Sequence, residues 1–175
     1  MSRTTLLLWL LFMNFQTNTT LAANSPAASV PELKALSHYI GKWDVVISTE
    51  DAPIKAKGER TAEWILDGRF VQQTGFLAKP DGKPYMKITT LMTYDQKEKA
   101  YRMWTFNSTG ESSESSGMWD ATLRTMTWSR SRDGKSTTMT ANFGENGSEQ
   151  WTIVTINEST GDRSEFGGTN TRRNQ

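Results

Sequence analysis

The chain has 175 residues, no cysteine, a single histidine and a formal net charge of +1. Those counts exclude disulfides, thiolate nucleophiles, cysteine zinc sites, lipid attachment through a lipobox cysteine and multi-histidine metal sites, so no metal or cofactor is expected. Near-neutral charge argues against nucleic acid or an anionic membrane as the main partner, while seven Trp, seven Phe and eight Met in a chain only 35% hydrophobic place the apolar mass in large side chains, as in a β fold.

The first stretch reads as a secretion leader. Arg3 supplies the basic start, Leu6 to Met13 the apolar run, and Thr20-Leu21-Ala22 with Ala23 the small residues of a cleavage site. Residues 1–23 are therefore expected to be removed near Ala22-Ala23, leaving an exported protein, periplasmic or extracellular. The apolar run is far shorter than the roughly 20 residues a helix needs to cross a bilayer, so no membrane span is expected. Arg3 is the one charged residue before Ala23; without it the basic residues balance the 19 acidic ones. Residues 24–30, small, polar and containing Pro26, read as a linker, and residues 31–175 as one domain.

Pro31 stands where the first turn of a helix tolerates proline. Leu33, Leu36 and Ile40 follow at i, i+3 and i+7, with Ala35 and Tyr39 beside them, and Gly41 ends the segment. The period then changes to two. Trp43, Val45 and Ile47 alternate with Asp44, Val46 and Ser48; Arg60, Ala62 and Trp64 alternate with Glu59, Thr61 and Glu63; Met86, Ile88, Met92 and Tyr94 share one face opposite Lys87, Thr89 and Thr93. Similar runs cover 100–106, 122–130, 137–143, 150–157 and 163–171.

Turn signals at Asp67-Gly68, Pro80-Asp81-Gly82, Thr109-Gly110, Asp133-Gly134, Asn146-Gly147 and Thr160-Gly161 separate these runs. Links this short force antiparallel neighbours. The spacing predicts an all-β, antiparallel up-and-down barrel of about nine or ten strands with a short N-terminal capping helix. The serine-rich stretch Ser112 to Ser116 reads as a mobile loop at the end away from the helix.

The helix followed by Gly41-Lys42-Trp43 resembles the calycin superfamily, which includes lipocalins and fatty-acid-binding proteins. In those barrels a tryptophan closes one end under a basic residue of the last strand. The resemblance assigns closure to Gly41 and Trp43, with Arg172 or Arg173 as the cation, worth about 0.5–2 kcal/mol over an indole face. A closer similarity covers nearly all of the chain after the leader. Leu36 to Trp43, Glu63 to Phe70, Tyr94-Asp95, Tyr101 and Trp104 resemble the bacterial domain of unknown function family 1579, the Leu66-Asp67-Gly68-Arg69-Phe70 string being the most specific part. That family implies a calycin-like barrel and brings no catalytic residues. The chain departs from lipocalins in having no disulfide cysteines. It departs from haem-binding barrels in placing its histidine in the entry helix rather than near the C-terminus.

Candidate ligand contacts follow from the expected barrel. Trp64, Trp104, Trp119, Trp128 and Trp151 either line a cavity or form ordinary core. Arg69 opens a strand bearing Gln72, Gln73 and Thr74, either to orient a ligand headgroup or to make a salt bridge with Asp67 or Glu63. The candidate ligand contacts are Trp64, Arg69, Gln73, Tyr94, Trp104 and Trp119. Arg124, Met126, Trp128, Arg130 and Arg132 share parity and are expected on a solvated outer face. His38 is expected to pack or cap. No nucleophile elbow, phosphate loop, zinc helix or calcium loop occurs. The glycosylation-like triplets at Asn107, Asn146 and Asn157 are discounted because the resemblance is bacterial. The reading is an exported barrel that binds a small apolar or amphipathic molecule without transforming it. The alternatives are an enzyme acting inside the barrel through Arg69, Tyr94 or Glu63, or an interaction module using the arginine–tryptophan face.

Overall fold

A computed structural model describes residues 25–49 and 52–173; the expected leader at 1–23 lies outside them. A 3-10 helix, Pro31–Tyr39, precedes strands β1 (Gly41–Thr49), β2 (Ala52–Ile65), β3 (Phe70–Ala78), β4 (Pro84–Asp95) and β5 (Ala100–Asn107). Strands β6 (Ser112–Asp120), β7 (Thr125–Arg132), β8 (Lys135–Phe143), β9 (Ser148–Asn157) and β10 (Arg163–Arg172) complete the chain. Each strand pairs with the next, and β1 also pairs antiparallel with β10, so the ten strands close into a barrel. The all-β, antiparallel barrel expected from the period-two pattern is what forms. Among the described residues no helix is long and apolar enough to cross a membrane.

The hairpin turns explain the short links. Asp95 Oδ1 accepts from the backbone N–H of Lys97 and Glu98, and Asp120 Oδ1 from Thr122 and Leu123, with Lys99 and Arg124 in the left-handed region closing the two loops. Asn107, Asn146 and Asn157 likewise accept from the backbone two residues on, at Thr109, Ser148 and Ser159. Their Asn-x-Ser/Thr spacing is thus turn chemistry.

The helix departs from the expected period. Val30, Leu33, Leu36 and Tyr39, three residues apart, are at most 2% exposed, with Ala35 buried beside them, and Ile40 has already become extended. Three residues per turn stack i and i+3 directly. The apolar stripe is therefore straight and faces the barrel mouth, and the Trp43 indole N–H donates to the Tyr39 carbonyl at 2.9 Å.

Two further expectations are corrected. Ser112 to Ser116 is not a loop but the first half of β6, paired with β5 through Thr105–Ser113 and Met103–Ser115. Ser115 is buried, and small inward side chains there leave room for large ones across the barrel. The arginine-bearing parity of β7 faces inward, not outward. Met126 and Trp128 are fully buried on it, because Gly117 on β6 has no side chain and the Trp128 ring lies flat over it; a Cβ at Gly117 would stand 2.5 Å from that ring. Arg130 and Arg132, on the same parity, remain exposed because they lie at the strand end away from the helix.

The segment expected to be a linker is docked over residues 25–30. Leu66, Asp67 and Gly68 all have positive φ, which turns the Gly68 carbonyl out to accept the Ala27 N–H at 3.0 Å. Arg69 donates to Ser29 Oγ at 3.1 Å. The Leu-Asp-Gly-Arg-Phe string is thus a clasp for the chain entering the helix. A side chain at Gly68 would collide with the Ser25 carbonyl.

Candidate functional site

The barrel interior divides into a packed end and an open end. At the packed end Leu33, Leu36 and Tyr39 of the helix meet Trp64, Val71, Met92, Tyr101, Met126, Trp128 and Phe143, all buried. The Trp128 indole N–H donates to Tyr39 Oη at 3.0 Å, and Tyr101 Oη donates to the Glu32 carbonyl at 2.8 Å. Burial holds the Tyr39 phenol well above its ordinary pKa, with the Glu149 carboxylate adding to the effect. The Tyr101 phenol is pushed up to about 12 by burial, then by Tyr94 and Glu32. Both stay protonated and available as donors over the physiological range.

Trp43 is 1% exposed and lies between two guanidinium groups, Arg172 at 4.3 Å and Arg60 at 4.7 Å from the ring centroid. Arg172 also donates to the carbonyls of His38 and Ile40, tying the last strand to the end of the helix. Partial burial, then the Arg60 charge, lowers the Arg172 pKa, and Glu149 opposes that shift. A residue at Gly41, where φ is +121°, would press on the Arg172 guanidinium. Gly41, Trp43 and Arg172 are thus brought together at the closed end.

A polar layer lies beyond this plug. Arg60 of β2 and Glu149 of β9 form a buried ion pair, and since β1 and β10 lie between those strands the pair bridges the lumen. Asn170 is buried beside it and accepts weakly from the Trp151 indole at 3.4 Å. Gln73, opposite Ala62 and Thr90, points inward, and Thr90 Oγ1 lies 3.4 Å from Thr105 Oγ1. Three buried atoms of this layer have no hydrogen-bond partner among the described residues: Arg60 Nε, Glu149 Oε1 and Gln73 Oε1.

Further from the helix the inward side chains are no longer buried. Met86, Ile88, Met103, Met139, Ile153 and Phe166 pack against the core but are only half-buried, whereas Ile47 and Leu77 on the β1–β3 side stay covered. These partly buried side chains lie on β4, β5, β8, β9 and β10. The lining is thioether and aliphatic carbon with hydroxyls between, Thr137 and Thr155 bonding each other at 3.2 Å. Methionines adapt to ligand shape, and a few placed polar groups among apolar walls fix orientation.

The residues expected to contact a ligand are divided by this geometry. Trp64, Gln73, Tyr94 and Trp119 have inward parity; Trp64 belongs to the packed end, Tyr94 sits edge-on to Tyr101 at 5.0 Å, and Trp119 stacks on His38 at 4.9 Å. Trp104 does not join them. It lies opposite Leu91 and Glu114, out of phase with inward Met103 and Thr105, and so belongs to the outer wall. Arg69 is exposed at the closed end and makes neither a headgroup site nor a salt bridge with Asp67 or Glu63; it holds Ser29. His38 stacks on both Trp119 and Phe143, whose ring centroids are 6.0 Å apart, and burial, then Arg124 and Arg172, lowers its pKa. Arg60, Glu149 and Asn170 were missed. Their signal was parity: Arg60 runs with Ala62 and Trp64, and Glu149 with Trp151 and Ile153.

A concavity of about 320 Å³ lies over Gly167-Gly168, lined by Trp151 and Phe166 with Ser48, Thr152 and Glu165. Side chains at either glycine would strike the Val46 or Trp151 backbone, so the wall there is bare.

No curated protein is significantly similar to the chain. The family model described as a protein of unknown function (DUF1579) matches residues 29–162, which hold the capping helix and β1 to β9. The closed ten-stranded antiparallel barrel is consistent with the calycin-like architecture that the resemblance implied. The chain belongs to the family of proteins of unknown function DUF1579.

Proposed function

We propose that this protein binds a small amphipathic molecule in the open half of its barrel, without transforming it, and does so after export. The observation that carries the reading is the change in burial along one interior. The helix end is fully buried, while Met86, Ile88, Met103, Met139, Ile153 and Phe166, of inward parity, are only partly buried. Apolar side chains only partly buried inside a barrel lack burial that a ligand would supply, at about 25 cal/mol per Å² of apolar surface. Export is supported by Arg3, the Leu6 to Met13 run and the Thr20-Leu21-Ala22 site.

Mass spectrometry of extracts from natively purified protein, with a thermal-shift panel of fatty acids, retinoids, haem and aromatic dyes, tests the binding reading. A ligand at 100 times its dissociation constant adds about 2.7 kcal/mol, several degrees for this size. A flat panel together with an empty extract would overturn it. N-terminal sequencing of the mature protein should begin at Ala23 or Asn24; intact Met1 would overturn export.

A further inference from the structure

We infer that the polar layer across the lumen is the recognition site for the ligand's head, and that the head is an uncharged hydrogen-bond donor, a carboxamide or an alcohol, rather than a carboxylate. This rests on the open half of the barrel being the binding chamber. Arg60 and Glu149 are 7% and 0% exposed, yet each keeps one polar atom without a partner among the described residues, as does inward-facing Gln73. Leaving a buried polar group unsatisfied is costly. Three such atoms on neighbouring inward positions of β2, β3 and β9, in the barrel whose other inward apolar side chains are only partly buried, are the arrangement of a site completed by something that enters.

The chemistry of the three atoms selects the head. Gln73 Oε1 and Glu149 Oε1 need donors, and Arg60 Nε needs an acceptor. A carboxamide supplies two N–H donors and one carbonyl, and an alcohol supplies one of each. A carboxylate supplies acceptors only and brings its charge against Glu149, whose partner Arg60 is already engaged. Gly75, opposite both Arg60 and Ile88, adds no side chain between this layer and the chamber above it. The alkyl tail then lies along the methionines and Ile153. The site thus orders an amphiphile head-inward.

Lauramide, lauryl alcohol and laurate share one tail length and differ in the head. Titration of the full protein, followed by tryptophan emission and by melting temperature, should show the amide and alcohol binding about five- to tenfold tighter than laurate. Gln73→Leu should reduce that preference by weakening amide and alcohol binding more than laurate binding, and should raise the melting temperature of the unliganded protein by removing an unpartnered buried oxygen. Gln73→Met, closer in shape, guards against a packing effect and should behave the same way. Equal affinity for all three heads, or a preference undiminished by either substitution, overturns the head assignment while leaving the chamber reading intact. Binding by none of the three, with a flat wider panel, overturns the chamber reading itself.

Discussion

Arg60 and Glu149, 89 residues apart in sequence, meet inside the barrel and bridge two strands that do not touch. Their ion pair separates a packed, helix-plugged end from a half-open one. It also supplies one of the two guanidinium groups that enclose Trp43.

Removing one partner should be far worse than removing both. Glu149→Ala leaves Arg60 charged and buried, and should cost about 3–5 kcal/mol in urea unfolding. The double change Arg60→Met with Glu149→Leu should recover much of that loss, because the desolvation of both ions disappears together. A double variant no better than the single one would show that the pair contributes packing rather than electrostatics.

The plug is expected to be strong at its centre and graded at its edge. Trp43→Ala should destabilise by about 3–5 kcal/mol. Arg172→Ala should cost about 1–3 kcal/mol, through a lost cation–π contact and two lost bonds to helix carbonyls. Arg172→Lys should recover only part, since a point charge does not reproduce the fork that reaches His38 and Ile40. Chemical denaturation of the three variants checks the order.

Gly117→Ala should destabilise by about 1–3 kcal/mol, because the new methyl must displace the buried Trp128 ring from a bed it fits closely. Near-ultraviolet circular dichroism of the indole bands should change with it. An unaltered spectrum and stability would contradict the flat packing of Trp128 on β6.

The barrel was legible in the sequence because period two and Asp- or Asn-Gly turns are local signals, each readable within about ten residues. The side of the wall was not. Alternation divides Trp104 from Met103 and Arg130 from Ser131 without saying which set faces in. Charge suggested that the β7 arginines faced out, whereas buried Met126 and Trp128 set the direction and the arginines sit at the rim. The Arg60–Glu149 bridge had no local signal, since it depends on barrel closure bringing β2 and β9 within reach. The helix stripe failed for a different reason: Leu36 to Tyr39 is three residues, and a 3-10 turn uses that spacing where an α-helix would have used Ile40.

His38 gives the protein a specific pH response. Its pKa in the folded state lies below the ordinary 6.5, from burial and then the Arg124 and Arg172 charges. The unfolded chain therefore binds a proton that the folded one resists. Its contribution to stability is fully present above about pH 6.5 and is lost as pH falls through the folded pKa. Melting curves between about pH 7.5 and 5 should decline more steeply for wild type than for His38→Phe, which keeps the stack on Trp119 and Phe143 but carries no titratable group. Equal slopes would remove His38 from the account.

The most direct test of the binding chamber distinguishes the inner wall from the outer one. Trp151 faces the lumen beside Phe166, at 5.9 Å between ring centroids, while Trp104 lies on the outer wall opposite Leu91. A lauryl alcohol brominated near the end of its tail quenches the emission of indoles that it touches. Quenching should be saturable, shrink on Trp151→Phe and be unaffected by Trp104→Phe. Quenching that disappears with Trp104→Phe and persists with Trp151→Phe would place the ligand outside the barrel and contradict the account.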